Sequence, residues 1–168
     1  MATLAAWRFE TPTGADEAAM TLQALVVSGT LTTHDAATVS WDLVWKKPRT
    51  RQLCGTGPDG NLGSAFWGLL FGMIFFVPLL GAATGAAGGA LAGSLTDVGI
   101  DDTFINRVRD QVTPGSSALF VLGPDAVVEP LEAAFAAHGE TGRILTRLTA
   151  EQDEALRAVF AEEGAATP

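Results

Sequence analysis

One long stretch of the chain has no charged side chain. From Asn61 to Thr96, 36 consecutive residues contain no Asp, Glu, Lys, Arg or His, whereas the rest of the chain carries all 29 charged side chains and both histidines. A membrane-spanning helix needs about 20 apolar residues, and about 17 at the least. The stretch is too long for one crossing and just long enough for two short ones, so it predicts a segment that leaves water.

A proline divides this stretch into two arms. Pro78 lies close to its midpoint. Proline has no backbone N–H, and it disfavours the helical conformation of the residue before it, here Val77. We therefore expect a helical hairpin that turns at Val77 and Pro78, with one arm near residues 62–77 and the other near residues 79–95.

Glycines recur at helical spacing in both arms. They occur every four residues in the second arm and twice in the first, at Gly81, Gly85, Gly89, Gly93, Gly68 and Gly72. In lipid, such small residues let helix backbones approach closely, whereas in water each interior glycine costs about 0.5–1 kcal/mol relative to alanine. The pattern predicts a glycine-zipper hairpin, transmembrane or re-entrant, with burial in a soluble oligomer as the alternative.

The flanks of the hairpin predict its orientation. Basic residues precede and follow it, whereas its turn has no charge; they are Lys46, Lys47, Arg49, Arg51, Arg107 and Arg109. By the positive-inside rule we expect an inner-membrane protein with both hairpin ends in the cytoplasm. Residues 1–10 lack the features of a secretory signal. The aromatic residues of the first arm are expected to face lipid or lie between helices: Phe66, Trp67, Phe71, Phe75 and Phe76.

Periodic patterns predict an α+β domain around the hairpin. Before it, we expect strands at 4–9, 34–44 and 49–54 and a helix at 15–27; after it, strands at 117–122 and 143–148 and helices at 100–112 and 125–138. Thr149 and Gln152 resemble a capping box that opens a last helix to about residue 163.

These elements predict a domain organisation. Two strand–helix–strand units indicate a ferredoxin-like sandwich, with helices on one face of a mainly antiparallel sheet. Residues 1–58 and 98–163 would form its two halves, the second with a C-terminal helix. Residues 59–97 would form the hairpin between them, and 164–168 a tail.

The charged part of the chain offers little catalytic chemistry. Cys54 is the single cysteine, His34 and His138 have no ligand-forming neighbours at a suitable spacing, and Asp97, Asp101 and Asp102 fit helix capping. The glycine-rich loop at 55–63 lacks the lysine of a phosphate loop. We therefore predict no catalytic residue, metal or cofactor. The net charge of -9 disfavours nucleic acid as a partner.

Four segments resemble a known family. They are GSAFWGLL at 63–70, PLLG at 78–81, LTDVGIDDTFI at 95–105 and PGSSALF at 114–120. Together they are similar to domain-of-unknown-function family 1269, bacterial and archaeal predicted membrane proteins with a glycine-rich hairpin. The resemblance covers nearly the whole chain, and it is less distinctive at 4–54 and after residue 151. It implies membrane association and assigns no catalytic residue.

Three functions follow as hypotheses. The first is a non-enzymatic membrane protein that self-assembles through the zipper, with membrane lipid and further copies of itself as partners and a structural or membrane-organising role. The second is a channel or a membrane-remodelling oligomer. The third is a ferredoxin-like domain, soluble or anchored, that binds a small ligand or acts as an enzyme.

Overall fold

The described residues fold around a five-stranded sheet. A computed structural model describes residues 2–31, 33, 35–46, 48–53, 70–71, 74–75, 100, 102–138, 140–152 and 154. The strands are β1 (Ala2–Phe9), β2 (Asp35–Ser40), β3 (Arg49–Leu53), β4 (Ser117–Pro124) and β5 (Glu140–Leu148). The helices are α1 (Gly14–Val27), α2 (Asp102–Gln111) and α3 (Val128–Ala136), with a 3-10 turn at Asp125–Val127. The predicted α+β class is confirmed.

The five strands form an antiparallel sheet in the order β3-β2-β4-β1-β5. The central strand β4 pairs with β1 from Ala2 opposite Pro124 to Phe9 opposite Ser117. Strand β4, which follows the uncharged stretch, also pairs with β2, which precedes it. The segments on either side of the stretch therefore share one sheet, as the strands predicted near 4–9, 117–122 and 143–148 required.

Helices α1 and α3 cover the first face of the sheet. The buried side of α1 presents Ala15, Ala18, Ala19 and Leu22, a helical spacing whose alanines let the helix lie close to the strands. Phe135 of α3 contacts the rings of Trp7 and Phe9 edge to face, at centroid distances of 5.0 and 6.0 Å. Local amphipathic patterns are sufficient to build this face.

The second face is covered by α2 and by part of the uncharged stretch. Helix α2 buries Phe104, Ile105 and Val108 against the strands, and Leu70, Phe71 and Ile74 are buried in the same cluster. Residues 117–123 of β4 are all buried, so both faces of that strand require apolar cover. The prediction that helices lie on one face only is therefore wrong.

Strand β2 is shorter than its alternating pattern predicted. It ends at Ser40 instead of continuing to residue 44, because Asp42 forms a turn. The Asp42 carboxylate accepts a hydrogen bond from the Val44 N–H at 3.1 Å, and the Asp42 backbone carbonyl accepts one from the Trp45 N–H at 3.0 Å. Aspartate makes such turns readily, so here the local turn overrides the alternation.

The capping box after β5 is confirmed. The Gln152 N–H donates to Thr149 Oγ1 at 3.1 Å, and the Thr149 N–H donates to Gln152 Oε1 at 2.9 Å. These reciprocal bonds satisfy amide groups that the first helical turn leaves unpaired. Residues 150–152 and 154 are helical, and the rest of the predicted C-terminal helix lies outside the described residues.

Candidate functional site

The described part of the first arm packs on the sheet. Leu70 and Ile74 are fully buried and Phe71 is 3% exposed. The Phe71 ring meets the ring of Phe120 on β4 edge to face, at a centroid distance of 5.0 Å and an angle of 72°. Phe71 was expected to face lipid or another helix of the hairpin. It lies in the domain core instead, because β4 needs cover on this face.

Two further contacts hold the end of this arm. Arg109 of α2 donates a hydrogen bond from Nε to the Ile74 carbonyl at 2.8 Å. The Phe75 ring contacts the Trp41 ring edge to face at 5.9 Å. We call residues 70, 71, 74 and 75 the arm anchor. It is fixed to β4, to α2 and to the segment that follows β2.

Beside the arm anchor lies the segment that follows β2, residues 41–46, which we call the β2–β3 loop. Its conformation is fixed by hydrogen bonds. The Trp41 N–H donates to the Ser116 carbonyl at 3.0 Å, and the Gly115 N–H donates to the Trp41 carbonyl at 2.6 Å. The Trp41 indole donates from Nε1 to the Trp45 carbonyl at 3.1 Å. The loop is thereby tied to the start of β4.

This ordered loop exposes two aliphatic side chains. Leu43 is 75% exposed and Val44 is 83% exposed. The alternating pattern had predicted both of them in a strand, so their exposure was not predicted from the sequence. Asp42, with its tendency to form turns, was the available signal.

A cleft of about 360 Å³ adjoins the loop on the α1 face, next to β3. Arg49 stacks on the Trp45 ring, with its guanidinium carbon 4.2 Å from the ring centroid. Arg51 pairs with Asp16 of α1 at 3.3 Å, and both side chains are largely exposed. Thr38, Ser40 and Thr50 complete the lining, in which the Asp16 carboxylate lies among the two arginines, so charges of both signs are present.

A second cleft of about 190 Å³ lies at the opposite edge, between β5 and the start of α3. Thr3 donates a hydrogen bond to the Asp125 carboxylate, and Arg143 pairs with Glu132. Arginines of β5 and acidic side chains of the 3-10 turn and of α3 therefore line this cleft together. The mixture of charges gives this cleft no preference for ligands of one sign.

His138 is placed against α1. Its side chain is 25% exposed. Nε2 lies 2.8 Å from Thr21 Oγ1, and Nδ1 lies 3.9 Å from a Glu17 carboxylate oxygen. Among the described residues, no three His, Cys, Asp or Glu side chains converge in a way that could hold a metal ion.

The other predicted features lie outside the described residues. These are the zipper glycines Gly68, Gly72, Gly81, Gly85, Gly89 and Gly93, the turn at Val77 and Pro78, and Cys54, His34, Asp97 and Asp101. Within the ranges that the structure does describe, no helix combines the length and the apolar character that a membrane crossing requires. The zipper and its turn therefore stay predictions.

Comparison with known proteins gives one informative match. No curated protein and no solved structure matches the chain. A family model described as "Protein of unknown function (DUF1269)" matches residues 61–161, which is more than half of the chain. The matched region begins at the uncharged stretch and includes α2, β4, α3 and β5, whereas the resemblance seen in the sequence extended further toward the N-terminus. This chain belongs to the DUF1269 family of proteins of unknown function.

Proposed function

We propose that this protein is a non-enzymatic, membrane-associated protein that self-assembles through its glycine-zipper hairpin. In this proposal a ferredoxin-like domain carries the hairpin, and strand β3 is an addition to the edge of its four-stranded sheet. The observation that carries the proposal is the arm anchor. Its burial ties the start of the hairpin rigidly to the domain, so that contacts made by the zipper would fix the positions of neighbouring domains.

The arm anchor also favours one form of hairpin over the others. Phe75 packs against the core cluster that contains Ile100, so the segment between them leaves and rejoins the same face of the sheet. That segment, residues 76–99, has 24 residues, whereas two crossings would need about 34 at the least. We therefore favour a re-entrant hairpin that enters and leaves the bilayer on one side.

The edges of the sheet are poorly suited to pair with a second copy, which leaves the hairpin as the expected assembly surface. The outer strand β3 carries Arg49 and Arg51, and the outer strand β5 carries Arg143 and Arg147. Charged side chains on edge strands disfavour pairing with a second sheet. Domains could lie side by side, but the attraction between copies would come from the glycines, whose four-residue repeat offers more close-packing surface than one short hairpin needs.

The zipper is tested by adding bulk to its glycine face. In Gly85→Leu/Gly89→Leu, helices should be forced apart, and the protein should migrate as a smaller species in mild detergent while it still sediments with membranes. Ala83→Leu/Ala87→Leu is the matched control, since it places the same two leucine side chains away from the glycine face of the predicted helix. If both variants keep the wild-type size, or if wild-type protein is recovered without detergent after carbonate extraction, the proposal is wrong.

The re-entrant form has its own test. In a Cys54→Ser background, single cysteines at Lys46 and at Gly88, the midpoint of residues 76–99, should both be shielded from an impermeant thiol reagent in intact cells and react after lysis in detergent. A spanning hairpin would bring residue 88 to the far side and label it in intact cells. That result would overturn the re-entrant form and leave the zipper proposal standing.

A further inference from the structure

We propose that the β2–β3 loop is a second membrane-contact element, which places Leu43 and Val44 in the headgroup region of an anionic bilayer. The inference rests on the proposed membrane association. It adds a site that the hairpin does not include and fixes which end of the sheet lies against the lipid.

The loop exposes apolar surface in a fixed conformation. Among the described residues, Leu43 and Val44 are two of the four large hydrophobic side chains that are strongly exposed, and the other two, Met20 and Val27, lie on α1. The bond from the Val44 N–H to the Asp42 carboxylate and the bond from the Trp41 indole to the Trp45 carbonyl hold the backbone around this pair. A loop held in this way would lose little conformational entropy when an apolar medium covers it.

The loop lies beside the point at which the hairpin leaves the domain. Trp41 contacts Phe75, and the uncharged sequence continues from residue 76. Both elements are therefore at the end of the sheet where β2 finishes and β4 begins, with Ser40 opposite Ser117. If the hairpin enters a bilayer from there, Leu43 and Val44 are close to the same surface.

The charge around the loop complements an anionic surface. Four of the ten basic residues lie between positions 41 and 51, with Asp42 as the one acid, although the chain has a net charge of -9. Lys46 follows the exposed aliphatic pair, and Arg49 lies over Trp45. Tryptophan and basic side chains are enriched where a protein meets the bilayer interface, and basic clusters there attract anionic lipids. This charge pattern favours lipid over a second copy of this acidic chain.

The test compares two exposed valines at opposite ends of the sheet. Val44 lies at the hairpin end, whereas Val27 ends α1, which begins after β1 finishes and runs back to the start of β2. In the Cys54→Ser background, Val44→Cys and Val27→Cys are each labelled with the fluorophore NBD. The full chain is then reconstituted into vesicles of phosphatidylcholine, with or without phosphatidylglycerol, that carry a nitroxide-labelled lipid.

We expect lipid-borne nitroxide to quench the label at residue 44 at least about threefold more than the label at residue 27, because only residue 44 would lie in contact with lipid. The difference should be larger with phosphatidylglycerol and should shrink in high salt. Leu43→Asp in the labelled Val44→Cys protein should abolish the excess quenching at residue 44.

Each other outcome is decisive. Equal quenching at the two positions in protein that floats with the vesicles overturns the loop inference and leaves the membrane proposal intact. A blue shift at residue 44 without lipid quenching assigns the loop to a contact between copies, which also overturns it. Failure of the wild-type chain to associate with either vesicle overturns the membrane proposal itself.

Discussion

The two faces of the sheet bury comparable aromatic clusters but take them from different parts of the chain. On the first face, Phe135 meets Trp7 and Phe9, and every contributing helix has an ordinary amphipathic sequence. On the second face, Phe120 meets Phe71, which belongs to a stretch without charge. The first face uses local patterns, whereas the second depends on a segment whose composition indicates lipid.

This difference shows that apolar composition alone does not assign a residue to an environment. Phe71 and Ile74 are as hydrophobic as residues that face lipid, yet they complete the core over β4. Apolar side chains leave water for protein or for lipid with similar gain. Which of the two they enter depends on whether an uncovered apolar face lies within reach. The substitutions below measure how far the stability of the second face depends on the arm anchor.

The largest effect is expected from Phe71→Ala, compared with Phe135→Ala on the other face. Each removes a buried ring and should lower the free energy of unfolding by about 3–5 kcal/mol in chemical denaturation. Only Phe71→Ala should expose the arm anchor to chymotrypsin under native conditions, because only that ring holds the anchor on the sheet. Since both variants lose similar free energy of unfolding, a difference in cleavage reports local opening. Equal cleavage near residues 74–77 in the two variants would mean that the anchor does not hold the arm.

A smaller effect is expected from Arg109→Met. The change removes the hydrogen bond from Nε to the Ile74 carbonyl and should lower the free energy of unfolding by about 1.5 kcal/mol, the low end of the range for a bond to a charged group, because Arg109 is itself exposed. Arg107→Met on the same helix is the control, and its exposed side chain should change stability by less than about 0.5 kcal/mol. Indistinguishable denaturation midpoints would show that the hydrogen bond from Arg109 does not help to hold the arm anchor.

Two glycines with positive φ allow a finer comparison. Gly29 (φ +80) has nothing within 4 Å of an added Cβ, whereas at Gly115 (φ +88) that atom would lie 3.0 Å from Leu43 Cδ2. Gly29→Ala should lower the free energy of unfolding by about 1 kcal/mol, because alanine is strained at a positive φ even where space is open. Gly115→Ala should cost more and shift Leu43. Thermal denaturation of both variants gives the difference, and equal losses would show that Leu43 moves freely over Gly115.

The smallest effect is expected on the first face, at the ion pair that joins β3 to α1. Both Arg51 and Asp16 are largely exposed, so the coupling between them should be below about 1 kcal/mol. A double-mutant cycle with Arg51→Ala and Asp16→Ala measures it, and high salt should reduce it further. A coupling of several kcal/mol would show that the edge of the first face depends on charge as strongly as the second face depends on the arm.

The sequence by itself determined the elements whose signals are local. The alanine-rich face of α1, the strands β1, β4 and β5, and the capping box at Thr149 and Gln152 all depend on spacing within a few residues. The family was also readable from the sequence, since its motifs lie within the matched residues 61–161.

Only the tertiary structure decided which side chains meet across the chain. The contact of Phe71 with Phe120 and that of Trp41 with Phe75 join residues more than 30 positions apart. No periodicity encodes such pairs, because they depend on the strand order that leaves β4 buried on both faces. For the same reason Leu43 and Val44 could not be placed from their alternation. Their exposure follows from the turn at Asp42 and from the bond between Trp41 and Gly115, which the folded sheet brings into register.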